Sequence, residues 1–190
     1  MAQRNTEEHG TLCRFGILHS RVVTYLTDNP GAAEHDVGMD SDRIFFVTAV
    51  AIERRAIFQR DAVAGLLVET LAHYRDRRKF LLHEFVVMPD HVHLLLTPAP
   101  EISLERAMQF IKGGFSFRMK TAGSAWQSGF SGHRVLDWGD YECHLEHIWL
   151  NPVRAGLVET AGLYPYSSAA GTLRMDTVPQ GLRARLGLVA

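Results

Sequence analysis

The stretch Phe80-Leu-Leu-His-Glu-Phe-Val-Val-Met-Pro-Asp-His-Val-His-Leu-Leu-Leu-Thr97 decides the fold. Two apolar runs, 80–88 and 91–97, flank Pro89-Asp90, a two-residue break that suits a tight turn between antiparallel strands. Upstream, residues 43–52 are rich in β-branched and aromatic side chains and read as a central strand. Between them, Ala62, Val63, Leu66, Leu67, Thr70, Leu71 and Tyr74 recur at helical spacing and run into the basic stretch 75–79. Downstream, Leu104, Ala107, Met108, Ile111 and Phe115 indicate a second helix, which Gly113-Gly114 is expected to weaken or bend. Residues 126–132 read as a loop. Asp140 is the expected N-cap of a third helix, which should end near Asn151 because Pro152 disfavours a helical residue before it. This order of elements predicts an α+β fold with a mainly antiparallel sheet and helices packed on it.

Composition sets the frame for that reading. With 190 residues, 46% of them hydrophobic and 22% charged, the chain suits one soluble globular domain with a sizeable core. No window approaches about 18 consecutive apolar residues and the first nine residues are polar, so neither membrane insertion nor secretion is expected. Two cysteines, Cys13 and Cys143, are too few for a disulfide scaffold, and a cytoplasmic location is expected. Residues 1–40 lack periodicity and read as an N-terminal extension, 41–170 as the folded domain and 171–190 as a tail.

The formal net charge of −1 argues against a protein that coats nucleic acid by bulk charge. Charge is nevertheless uneven. Residues 102–135 carry Arg106, Lys112, Arg118, Lys120 and Arg134 against Glu105 alone, a local excess of four positive charges, whereas 136–190 carry an excess of two negative ones. Such a cluster is either a solvated helix face or a set of phosphate contacts. No phosphate-binding glycine loop or nucleophile-elbow motif occurs.

His91-Val92-His93 is the most informative tripeptide. Side chains alternate along a strand, so both imidazoles leave one face while Val92 leaves the other. Two convergent imidazoles make half a metal site suited to Zn, Mn, Fe or Ni, or else a pair of rings that need other partners in the core. On the third helix, His144, His147 and Asn151 are spaced three and four apart and fall in one stripe. If that helix lies over the hairpin, Asn151 can join His91 and His93 at a metal. Alternatively, His91, His93, His144 and His147 close a zinc site with Glu146 or water as general base, which would make a zinc-dependent hydrolase.

Taken in order, Phe46-Val-Thr48, the stretch 85–96 containing His91-Val-His93, Ile111-Lys-Gly113, Tyr141-Glu-Cys-His-Leu-Glu-His-Ile-Trp-Leu-Asn-Pro-Val-Arg-Ala-Gly-Leu-Val158 and Tyr164-Pro-Tyr-Ser-Ser168 resemble the tyrosine transposases of the HUH superfamily. The nearest branch is the one associated with repetitive extragenic palindromes. The likeness covers roughly residues 40–170, and an H-x-H strand combined with a distant N-P-V-x-x-G is more specific than either motif alone. It implies a ferredoxin-like sheet and a divalent metal, Mg²⁺ or Mn²⁺, on His91, His93 and Asn151. It further implies single-stranded or hairpin DNA as substrate, cleaved through a 5′-phosphotyrosine link, with no nucleotide cofactor, and in some members a homodimer that exchanges helices. Lys112, Arg118, Lys120 and Arg134 would then be phosphate contacts and Trp126 an exposed stacking platform.

One position departs from the family. Its nucleophilic tyrosine stands four residues before the ligand asparagine, and here that position is His147. Tyr141, the nearest upstream, is ten residues from Asn151, about 15 Å along a helix. His147 either takes a catalytic role as nucleophile or general base, or marks a protein that binds DNA without forming the covalent link.

Overall fold

The computed structural model describes residues 43–120, 124–178 and 182. Seven elements define the domain: β1 (Phe45–Val50), α1 (Asp61–Asp76), β2 (Phe80–Val87), β3 (His91–Pro98), α2 (Leu104–Met119), β4 (Ser131–Arg134) and α3 (Trp138–Arg154). The sheet order is β2-β3-β1-β4, with every neighbouring pair antiparallel. The first six elements thus form the β-α-β-β-α-β arrangement of the ferredoxin-like fold, as the sequence led us to expect. None of the described helices is long and apolar enough to cross a membrane. The expected N-terminal extension lies outside the described residues.

Both faces of the sheet are covered, and strand alternation assigns a side chain to each. Val47, Ala49, Val92, Leu94, Leu96, Phe85 and Val87 face Leu67 and Leu71 of α1 and Met108, Ile111 and Phe115 of α2. Their neighbours Phe46, Val86, Leu95 and Met88 face Tyr141, Leu145, Ile148 and Trp149 of α3. His91 and His93 share the parity of Leu95, so they lie on the α3 side. The hairpin turn is secured from outside, because Phe58 N donates to the Pro89 carbonyl and Ala51 N to that of Asp90.

Four local expectations need correction. α2 runs unbroken through Gly113 and Gly114. A Cβ on Gly114 would overlap the Tyr74 ring of α1, whereas one on Gly113 would meet nothing within 4 Å, so Gly114 lets the two helices approach. Residues 131–132, read as loop, belong to β4, which hydrogen-bonds to β1 although all four of its residues are exposed. The N-cap of α3 is Asp137, whose side chain accepts from Asp140 N at 2.9 Å, rather than Asp140 itself. Finally, α3 continues past Asn151 to Arg154, with Pro152 buried in its last turn. A proline there forfeits one helical hydrogen bond, and its buried ring compensates through packing.

β2 carries a bulge between Leu82 and Glu84 that turns His83 into the interior. The His83 ring donates from Nδ1 to the Asp176 carbonyl at 3.3 Å and accepts at Nε2 from Thr97 Oγ1 at 2.9 Å, which satisfies the neutral imidazole. Asp176, in the segment expected as a tail, also pairs bidentately with Arg75 at 2.8 and 2.9 Å and accepts from Leu82 N at 2.8 Å.

Two outcomes are expected from this packing. Gly114→Ala should destabilise the domain by about 1–3 kcal/mol through overpacking against Tyr74, while Gly113→Ala should leave stability unchanged or raise it by up to about 1 kcal/mol; chemical denaturation measures both. Burial pushes the His83 imidazole from 6.5 down to about 4, against weaker opposing contributions from Asp176 and Thr177. The unfolded chain therefore takes up the proton first. Stability should fall by roughly 3 kcal/mol as pH drops from 6.5 to 4, and His83→Gln should flatten that part of the curve.

Candidate metal and nucleic-acid site

The site forms where β3 passes beneath α3. The His91 and His93 rings lie with centroids 4.7 Å apart, and the His147 ring lies 4.8 Å from that of His93. His93 Nε2 faces His147 Nε2 at 3.3 Å, and Asn151 Nδ2 is 3.3 Å from the same His147 nitrogen. The structure thus brings four of the sequence-selected residues together. The three-and-four spacing on α3 supplies His147 and Asn151, while strand alternation supplies His91 and His93.

Each β3 histidine is held at Nδ1. His93 Nδ1 bonds Thr48 Oγ1 at 2.8 Å, Thr48 being its cross-strand partner on β1. His91 Nδ1 bonds Asp90 Oδ1 at 2.6 Å, and the other Asp90 oxygen meets Arg54 Nη1 at 3.3 Å. The Asp90 carboxylate accepts from His91 Nδ1 and so leaves its Nε2 lone pair free, and a Thr48 hydroxyl accepting from His93 Nδ1 would do the same there, the pattern that orients metal-ligating imidazoles. Sequence reasoning gave Thr48 and Asp90 no role. Their signals were present: Asp90 precedes His91 directly, and Thr48 has the parity of Phe46.

Burial disfavours the charged forms of His93 and His147. Burial, followed by the neighbouring His91, His147 and His144, pushes His93 down to about 2. Burial, then Arg154 and His91, lowers His147 as well. Burial opposes ionisation of Asp90, but the hydrogen bond and charge of His91 with the Arg54 pair hold its carboxyl below the usual range. Imidazole nitrogens and a side-chain amide form a donor set that fits a divalent cation, and rotating the Asn151 amide would turn Oδ1 in place of Nδ2 toward it.

His144 does not join this group. Its ring stacks flat on Phe46, with centroids 4.1 Å apart and planes inclined by 10°, and Phe46 separates it from His93, 5.3 Å from the Phe46 centroid. Glu146, the alternative general base, points to solvent and pairs with Arg154 at 3.2 Å. A site built from His91, His93, His144 and His147 with Glu146 as base is therefore not the arrangement the fold assembles. Tyr141 is 2% exposed in the core beneath α3 and stacks on Trp138, so it lies away from solvent and from any incoming strand.

The basic and aromatic candidates separate into two groups. Trp126, expected to be exposed, is 4% exposed and packs against Phe58 and Phe115, its indole N–H donating to the Lys112 carbonyl at 3.1 Å. Its loop is drawn into the core by a bridge to Ala51. The Lys112 ammonium donates to the Gln127 and Gly129 carbonyls, and Arg118 pairs with Glu69 at 2.7 Å. Both cations therefore serve packing of the domain. Lys120 ends α2 in the left-handed conformation, and Arg134 lies opposite Phe45 on β4; both are exposed.

The family model of the IS200-like transposases matches residues 43–135, from β1 through β4, just under half of the chain, and over that segment the chain is similar to that family. Among relatives, a REP-associated tyrosine transposase of Escherichia coli is 29% identical over 104 residues, 54% of this chain and 62% of that protein. A Haemophilus influenzae protein named for the same group is 25% identical over 154 residues, 72% of this chain and 85% of its own. A solved structure of a REP-associated tyrosine transposase bound to a REP hairpin shares the fold, with a TM-score of 0.59 at 22% identity over 78% of this chain and 92% of that one. α3 lies beyond the segment matched by the family model.

Removing either outer partner should loosen the site. Thr48→Val and Asp90→Asn are each expected to weaken Mn²⁺ binding about 10- to 100-fold, measured by calorimetric titration, with little change in the far-ultraviolet circular dichroism spectrum.

Proposed function

We propose that this protein binds hairpin or single-stranded DNA at a divalent metal held by His91, His93 and Asn151, and that His147 serves as a further ligand where relatives carry a nucleophile. The observation behind this reading is the run of contacts from His93 Nε2 to His147 Nε2 to Asn151 Nδ2, each at 3.3 Å. Imidazoles this close either share a proton or share a cation, while Asp90 requires the proton of His91 at Nδ1 and Thr48 engages Nδ1 of His93. When bound, Mg²⁺ or Mn²⁺ supplies polarisation of a phosphate oxygen.

The chain's own residues do the rest. His91 and His93 present Nε2, Thr48 and Asp90 hold them, and Asn151 offers its amide oxygen. His147 has no hydroxyl with which to form a phosphotyrosine ester, and among the described tyrosines Tyr164 is committed by its O–H to the Val87 carbonyl at 2.8 Å. Burial, then Tyr166 and Asp61, raises that phenol to about 12, which suits a structural hydroxyl better than an attacking one. The relative solved with a hairpin supports DNA as the partner. Exposed Arg134 and Lys120 would contact phosphates, whereas Lys112 and Arg118 would contribute field rather than direct bonds.

The test incubates end-labelled hairpin DNA carrying a single-stranded flank with wild type, His147→Ala and His147→Tyr, with and without Mn²⁺. Native gels report binding and denaturing protein gels report adducts. All three proteins should bind, wild type and His147→Ala should yield no covalent product, and His147→Tyr should yield a metal-dependent adduct. Cleavage by wild type that His147→Ala abolishes, with Mn²⁺ binding by calorimetric titration unchanged, would overturn the ligand role and make His147 catalytic. Absence of binding by all three would overturn the DNA reading.

A further inference from the structure

A second group of side chains of metal-ligating type joins β4 to the same helix, toward its N-terminus and on the far side of Phe46. His133 of β4 bonds Asp140 Oδ2 through Nε2 at 2.9 Å. Leu136 N donates to the same carboxylate oxygen at 3.1 Å. On the other carboxylate oxygen, Asp140 Oδ1, His144 Nε2 closes to 3.1 Å but out of line, so that nitrogen is buried without a hydrogen bond. The two rings lie 5.1 Å apart, and one donor atom from each of the three residues lies within 4.8 Å of the others.

We propose that His133, Asp140 and His144 form a second metal site, selective for zinc-like cations, that ties edge strand β4 to the first turns of α3. The donor chemistry points to the metal class. Two imidazoles and one carboxylate are the ligand set of zinc and its borderline neighbours, with water completing a tetrahedron, whereas Mg²⁺ prefers oxygen donors and keeps its waters. The geometry points to the place. Asp140 and His144 are four apart on one helix face, and His133 is the cross-strand partner of Phe46, whose ring fixes the His144 plane.

Two features indicate a ligand site rather than a capping network alone. The N-cap role in α3 is already filled by Asp137, so Asp140 is not needed for it. A buried imidazole nitrogen 3.1 Å from a carboxylate oxygen yet misaligned with it is costly, and a cation between them would satisfy both. β4 also has reason to be pinned, since it has four exposed residues and no apolar side chain of its own to hold it against α3. The site shares no residue with the one proposed for DNA.

The experiment uses the full chain carrying His91→Ala and His93→Ala, which removes the first pair of imidazoles. After equilibration with Zn²⁺ and removal of loosely held metal, zinc per chain is measured by mass spectrometry of the intact protein and by elemental analysis. One equivalent should remain, and adding His133→Ala should abolish it; the His133 side chain is 51% exposed, so the substitution leaves the core untouched. Zinc should raise the melting temperature of the double variant and not that of the triple. A folded double variant that retains no zinc, or zinc retention indifferent to His133→Ala, overturns the proposal. Should the double variant not fold, wild type is compared with His133→Ala instead: loss of one equivalent supports the site and equal zinc content overturns it.

Discussion

One imidazole buried between a sheet and a helix, with half-buried imidazoles on either side of it, constrains everything around it. His93 is 7% exposed, and a ring in that position must find a partner for each nitrogen or be expelled. Thr48 meets one nitrogen and His147 faces the other, so β1, β3 and α3 are locked by polar contacts at a point where a packed core would normally hold only apolar side chains. The apolar residues do the rest on either side: Leu95 and Val86 next to the histidines, and Ile148 and Trp149 from the helix above. A slip of one residue in β3 would carry both histidines to the α1/α2 face, so the strand's register and the site's existence are the same fact.

How far the sequence disclosed this depends on which physical signal each residue carries. His91 and His93 were legible because strand alternation has a period of two and both runs of the hairpin are strongly apolar. His147 and Asn151 were legible because helical neighbours recur at four. β4 was not, since Ser131-Gly-His-Arg134 shows no alternation and its pairing comes from the free edge of β1. Trp126 misled for a related reason: glycine and serine neighbours suggest solvent, but the bridge between Ala51 and Trp126 pulls the indole into the core. Asp140 was recognised as a polar residue at a helix start, yet its carboxylate turns to His133 and His144, a pairing that depends on tertiary closeness and leaves no trace in local spacing.

The same limitation explains the end of α3. A proline usually marks the stop, because the residue before it is pushed out of the helical region. Here the helix passes through Asn151 and Pro152, and Gly156, in the left-handed conformation at φ +67°, terminates the segment instead. The tertiary gain is concrete. Extending the helix keeps Asn151 on the His147 stripe, four residues on, so that its amide reaches the imidazole.

α3 must therefore be held along its length, because an error of about 1 Å is enough to spoil a site of this kind. Its start is fixed by Asp137 and by Asp140 with His133. Its middle is fixed by Trp149, whose indole donates to Glu84 at 2.9 Å, while Ser168 donates to the same carboxylate. Burial pushes the Glu84 carboxyl up and these two donors pull it back, so the anion has partners only while α3 and the segment around Ser168 are docked. A residue on β2 that never approaches the histidines thus sets how closely α3 approaches β3. None of these anchoring contacts runs through His147. The side chain at 147 therefore bears on the chemistry of the site and not on how the helix is held.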